Sequence, residues 1–336
     1  MQDPRDPLFR QYLSPEQFTE RFGPDEKDVQ EIADHLARSG LTVSKVHPNR
    51  LVLDVEGLTS AVEGAFQVQV HNYRLADGRV AHAANADPIF PATLAARVKT
   101  VAGLNNFAQR RPHLVREPRA QAFDVTTKPE DFMTPAKIKS AYGLDTVSQT
   151  GAGETLALFE LDGYSASDIN AYASYFNLPA PNLQNVLVGG ATGAAGPGAI
   201  EVTLDIELAL AVAPGLAKIM VYEGPNSDQG VLDTYSRIAT DNLAKVVSTS
   251  WGLSEDEDST AFLNGENTIF QQMAAQGQGL FAASGDSGAY DDPAHPSNLS
   301  VDDPASQPYV TAVGGTSLTL NAANNSRSES AWSNAA

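Results

Sequence analysis

Beyond residue 131 the sequence alternates short apolar runs with helical stretches, and that rhythm admits few folds. Strand-like runs occur at 155–159, 186–188, 218–222, 245–250, 279–283 and 309–313. Helical patterns at 167–176, 200–211, 230–243 and 259–276 lie between most of them. Continuous apolar strands are buried on both faces, and their alternation with helices predicts a parallel, doubly wound α/β sheet. The first part reads differently. Ser14-Pro15-Glu16 opens a short helix, and the stripe Val29, Ile32, Ala33, Leu36 gives a second one that stops at Gly40. Strand pairs are expected around His47-Pro48-Asn49 and around 76–78, with helices at 60–66 and 91–101. This α, ββ, α, ββ order predicts a ferredoxin-like α+β domain.

The domain boundaries follow from these changes of pattern. Residues 1–112 form the first domain and 131–336 the second, as befits a chain of 336 residues. Residues 113–130 are proline-bearing and aperiodic, an exposed linker open to proteolysis. The first 120 residues balance 15 basic against 15 acidic groups, and the remainder carries the whole net charge of −19. Nucleic acid and anionic membrane are therefore excluded as partners for the second part. No apolar run could span a bilayer. The absence of cysteine rules out thiol catalysis, disulfides and thiolate metal sites. No metal-ligating set is assigned in the chain.

The chemistry turns on Ser284-Gly285-Asp286-Ser287-Gly288. As a serine-protease signature it would make Ser287 the nucleophile, but the only histidine after residue 120 is His295, in a proline-flanked turn. Carboxylates are the better candidates. Glu201 and Asp205 stand four apart on a helix, so both face one way in apolar surroundings. Such a pair tends to share a proton, one pKa being raised. Glu207 competes from another face of that helix. Glu160, Trp251 and Asp286 each follow a strand, at the edge where open α/β sheets bind ligands.

Glu201-Val-Thr-Leu-Asp205, Val247-Ser-Thr-Ser-Trp251-Gly252, Ala283-Ser-Gly-Asp286-Ser-Gly288 and Pro308-Tyr-Val-Thr-Ala-Val-Gly-Gly-Thr316 together resemble the sedolisin family of serine-carboxyl, kumamolisin-like peptidases. Tyr12-Leu-Ser-Pro-Glu-Gln-Phe18 and Gly64-Ala-Phe66 resemble that family's inhibitory propeptide. The resemblance implies a subtilisin-like catalytic sheet, with Glu201 as general base, Asp205 as its partner and Asp286 as the oxyanion residue. Asp286 must then be protonated when it acts. Glu160 and Trp251 would extend the network behind the base.

The family's nucleophile lies in a Gly-Thr-Ser-x-x-x-Pro motif downstream of the oxyanion aspartate. Gly315-Thr316-Ser317 lacks the proline, so Ser287 and Ser317 are both expected to be lookalikes, with no nucleophile in this chain. The chain is expected to be a precursor fragment, inactive as it stands. The family's calcium ion would be held beyond residue 336. The implied enzyme is a secreted, acid-acting endopeptidase of proteins and peptides, inhibited by its own propeptide. The alternative is a non-catalytic inhibitor or pseudoenzyme. Falling pH is expected to protonate carboxylates paired with basic residues of the first 120, loosening the propeptide.

Overall fold

The computed structural model describes residues 3–76, 78–113, 133–321 and 326–332. The linker expected at 113–130 lies outside the described residues except for His113. In the first domain, Ser14 and Gln17 form a reciprocal capping box on α1 (Pro15–Phe22), with Pro15 in the first turn. Helix α2 (Glu26–Arg38) buries Val29 and Leu36, and Gly40 takes φ +84° just past its end. Strands β1 (Thr42–Val46) and β2 (Leu53–Glu56) pair antiparallel. After α3 (Thr59–Phe66), β3 (Val70–Arg74) and β4 (Val80–Ala84) form a second antiparallel pair. Leu36, Leu41, Ala65, Phe66 and Val68 form this domain's core.

The helix expected at 91–101 is corrected to a single turn, α4 (Ala92–Ala95). Val98, Thr100 and Val101 are β-branched and resist helix, and Lys99 is drawn to Thr268 Oγ1 of the second domain at 3.0 Å. The domain ends in β5 (Arg111–Pro112).

The second domain begins with α5 (Pro135–Ala141), β6 (Thr155–Glu160), α6 (Ala166–Tyr175), β7 (Leu183–Leu187) and α7 (Ala199–Val212). It continues through β8 (Lys218–Glu223), α8 (Asp228–Asp241), β9 (Val246–Thr249), β10 (Trp251–Ser254), α9 (Thr260–Ala275) and β11 (Gly279–Ala283). Then come β12 (Asp302–Asp303), β13 (Val310–Val313) and the hairpin β14 (Thr316–Asn321) with β15 (Ser326–Ala331). One six-stranded sheet, ordered β13-β11-β9-β6-β8-β7, is parallel throughout. The six expected strands are these six, because apolar residues on both faces demand helices above and below. Phe159 of β6 stacks on Tyr235 of α8 at 3.9 Å, and Tyr235 meets Phe270 of α9 edge-on. Each such buried side chain contributes roughly 1.5–3 kcal/mol. No helix among the described residues is long and apolar enough to cross a membrane.

Candidate active site

Strands β11, β9 and β6 are neighbours running the same way. Their carboxyl ends deliver Asp286, Ser250-Trp251 and Glu160 to one edge, as a parallel sheet must. The Trp251 indole N–H donates to Glu160 Oε2 at 2.8 Å, both groups being buried. Helix α7 starts against the same indole. A Cβ at Gly198 would collide with the Trp251 ring, so only glycine lets the helix begin there. Asp162 accepts from the Gly196 and Gly198 amides at 2.8 and 2.6 Å and fixes this entry. Buried Val202, Ile206 and Leu210 then anchor α7 in the core, which turns Glu201 and Asp205 toward Ser250.

These groups lie side by side. The Ser250 hydroxyl donates to Asp205 Oδ1 at 2.9 Å. Glu201 Oε2, Asp205 Oδ2 and Glu160 Oε1 are buried with no hydrogen-bond partner in the structure. Burial, then the neighbouring Asp205, push Glu201 up to about 8. Burial pushes Asp205 up to about 6 against the influence of Ser250 and Glu160. Glu160, fully buried and facing Asp205, is raised well above the carboxylate range. Burial of three neighbouring carboxyls thus raises all three, Glu160 and Glu201 more than Asp205.

Asp286 lies across the cleft, its pKa raised by burial against the influence of His113. The end of the first domain runs along this edge. Strand β5 pairs antiparallel with β10, Arg111 opposite Gly252 and Pro112 opposite Trp251. The His113 amide then donates to the Ser250 carbonyl at 2.8 Å. Upstream, Arg110 is buried between Asp228 (2.7 Å) and Asp258 (2.9 Å), over the Phe262 ring. Arg111 reaches Glu257 at 2.6 Å.

Not every carboxyl at this contact is a plain ion-paired anion. Burial raises Asp258 to about 7 despite Arg110. Asp302, 3.0 Å from His113 Nε2, is raised to about 10 by burial and by Asp291 and Asp303 of its own domain. Burial also lowers His113, so this pair is held without full charge separation.

Other sequence candidates fall elsewhere. Glu207 faces Asp168 of α6. His295 is an exposed turn residue bonded to Asp292 of its own loop at 2.7 Å. Ser287 is exposed, and Ser317 pairs with Ser330 in the β14–β15 hairpin. The sequence reading missed Ser250, although its place directly before Trp251 at a strand end was a signal. It also missed a metal-compatible group: His47, Asp54 and Asp233 bring ligand atoms within 4.8 Å of one another. An imidazole with two carboxylates does not fit the all-oxygen shell of the calcium implied by resemblance, so no step is assigned to calcium here.

Residues 1–107 match the family model "Pro-kumamolisin, activation domain", and residues 187–336 match "Subtilase family". The chain is 34% identical to Kumamolisin of Bacillus sp. (strain MN-32), over 97% of this chain and 60% of that protein. It is 32% identical to Xanthomonalisin of Xanthomonas sp. (strain T-22), over 94% of this chain and 42% of that protein. It thus spans less than two thirds of either relative. Proteins named tripeptidyl-peptidase also match. Among solved structures, Pseudomonas sedolisin, a serine-carboxyl proteinase complexed with pseudo-iodotyrostatin, aligns with TM-score 0.54 and 30% identity. That alignment covers 59% of this chain and 58% of the sedolisin.

Proposed function

We propose that this chain, a member of the sedolisin family with an activation domain joined to a subtilisin-like catalytic domain, is the precursor of an acid-acting endopeptidase. The observation that carries the reading is the cluster of Glu201, Asp205, Ser250, Glu160 and Trp251 at one sheet edge, with residues 111–113 paired along Ser250–Gly252 and His113 close enough to influence Asp286. Glu201 takes the proton of a serine hydroxyl as its oxygen attacks the peptide carbonyl. Neutral Asp286 donates a hydrogen bond to the developing oxyanion. Glu201 then gives its proton to the departing amine, leaving an acyl-enzyme that water hydrolyses by the reverse relay.

The nucleophile is proposed to come from the family's Gly-Thr-Ser motif, outside these 336 residues. The positions of Ser287 and Ser317 support that reading. A second reading is favoured by Ser250, whose hydroxyl already donates to Asp205. Its main chain holds His113, however, which suits a binding residue better. In the covered cleft Glu201 holds its proton at acidic pH, and a base must lose it. Hydration after the propeptide leaves lowers that pKa, so covering is itself inhibitory.

Arg110 supports endopeptidase over tripeptidyl-peptidase action. Counting back from His113, it is the fourth residue, and the cleft buries it in an acidic pocket. A site that releases tripeptides has to end after three. The proposed protein is secreted and acts on proteins and peptides, with the activation domain as its intramolecular inhibitor.

The test is an assay at acidic pH of the 336-residue chain and of a longer form carrying the downstream motif, on denatured protein. The longer form should turn over, and Glu201→Ala, Asp205→Ala and Asp286→Ala should each cost about 10²–10³-fold in kcat. Glu207→Ala should cost far less. Activity of the 336-residue chain abolished by Ser250→Ala would establish the second reading. Inactivity of both forms would favour a non-catalytic inhibitor or pseudoenzyme.

A further inference from the structure

The loop between β1 and β2 enters the second domain at α8 and α9. His47 and Asn49 are 1% and 0% exposed there. Asn49 Nδ2 donates to Ser236 Oγ at 3.1 Å and to Gln272 Oε1 at 3.0 Å, and the Arg50 amide closes a turn on the His47 carbonyl. The imidazole is thereby held against Asp233 of α8, which is 2% exposed, and Asp54 of β2. We propose that His47, Asp54 and Asp233 bind one zinc-like divalent cation, which ties the activation domain to the catalytic domain.

His47 Nε2 is within hydrogen-bond reach of Asp54 Oδ1, but the spacing of the three groups suits a shared cation better. His47 Nε2 lies 3.2 Å from Asp54 Oδ1 and 3.3 Å from Asp233 Oδ1. Ligands bound at about 2.0–2.1 Å in a tetrahedron stand about 3.3–3.4 Å apart. A charge-assisted imidazole–carboxylate bond would be about 2.7–2.9 Å, and one N–H has one axis. Here one nitrogen is nearly equidistant from two carboxylate oxygens, one in each domain. Asp233 Oδ1 is buried with no hydrogen bond of regular geometry, and the contact it makes is with this imidazole.

The charge also balances, since two carboxylates and a neutral imidazole neutralise a divalent ion. One nitrogen with two oxygens selects a first-row divalent metal over calcium. Lys45 Nζ stands 4.0 Å from the other Asp54 oxygen and is 45% exposed, so it sits on the solvent side. A groove of about 650 Å³, lined by Lys45, His47, Asn49 and Arg237 among others, supplies a route from solvent.

The test uses the 336-residue chain, stripped with chelator at neutral pH and titrated calorimetrically with zinc chloride. A parallel titration with cobalt chloride reads the visible bands of a tetrahedral site. One ion per chain is expected, with tetrahedral cobalt bands. Loss of an outer-sphere partner typically costs about 10–100-fold in affinity, so Asp233→Asn should cost at least the upper end of that range. Asp54→Asn should do the same, and His35→Gln should change nothing.

Binding that is absent, or equal in Asp233→Asn and the unaltered chain, overturns the site. If Asp233→Asn fails to fold, broadening of the His47 ring resonance by cobalt in the unaltered chain decides the matter. Once the linker is cut with trypsin, zinc should slow release of the activation domain at least tenfold, and chelator should reverse this. Only that consequence rests on the activation-domain reading. Ion binding is measured without catalysis, so the two can fail separately.

Discussion

The two domains differ in where they bury their polar groups. The catalytic sheet carries a core that runs from β7 to β11 and includes Phe159, Tyr222, Tyr235 and Phe270. The activation domain gathers only Leu36, Leu41, Ala65, Phe66 and Val68. Its buried polar residues His47, Asn49 and Arg110 each find a partner in the other domain, although His47 also meets Asp54 and Asn49 also meets Leu51 of their own. One region has a large apolar core of its own, whereas the smaller one depends more on polar anchors across the contact.

The comparison breaks most readily at Arg110. Arg110→Ala leaves Asp228 and Asp258 facing a buried vacancy, and losing one partner of a buried ion pair costs about 3–5 kcal/mol. The expected result is weaker docking, read as faster release of the activation domain from linker-cut protein. The unfolding midpoint of the isolated activation domain should not move. An equal loss in both would mean that Arg110 supports the fold and not the contact.

Asn49→Ala should act in the same direction with a smaller effect. It leaves Ser236 and Gln272 with fewer partners in a dry interface, a cost of about 1–3 kcal/mol. The same release assay measures it, and additivity with Arg110→Ala would show two independent anchors.

The pH dependence sharpens the contrast further. Glu201 at about 8, Asp258 at about 7 and Asp205 at about 6 all lie above the unfolded carboxylate range. The penalty for ionising each is absent below about pH 4 and grows as pH rises through the folded value, by up to about 1.4 kcal/mol per unit and group. The precursor should therefore melt higher at pH 5 than at pH 8. Asp258→Asn should flatten that slope. A melting temperature that falls on acidification would favour the charge-pairing picture.

The smallest expected effect concerns His295. Its ring is mostly exposed and tied only to its own turn, so His295→Ala should alter stability by no more than about 0.5 kcal/mol. N-terminal sequencing after acid processing completes the set. Cleavage is expected just beyond His113, within the 111–130 range, since His113 is held on the Ser250 carbonyl and close to Asp286.

Much of this was legible in the sequence where chemistry is local. The capping box at Ser14, the paired spacing of Glu201 and Asp205, and the apolar runs of the sheet each depend on neighbours in the chain. The helix expected at 91–101 failed because Lys99 and Ala102 answer to α9 and the catalytic core. Ser250 was overlooked because its place before Trp251 marks the strand end but not its partner, which a helix 45 residues earlier supplies in Asp205.

The sequence by itself determined the alternation of strands and helices, the family and the residue types at the cleft, because periodicity and spacing are properties of the chain. Only the tertiary structure decided which carboxyls keep their protons. It alone placed residues 111–113 along Ser250–Gly252 and brought His47 to Asp233. Desolvation and proximity arise when distant segments exclude water from one another, and no local pattern encodes that.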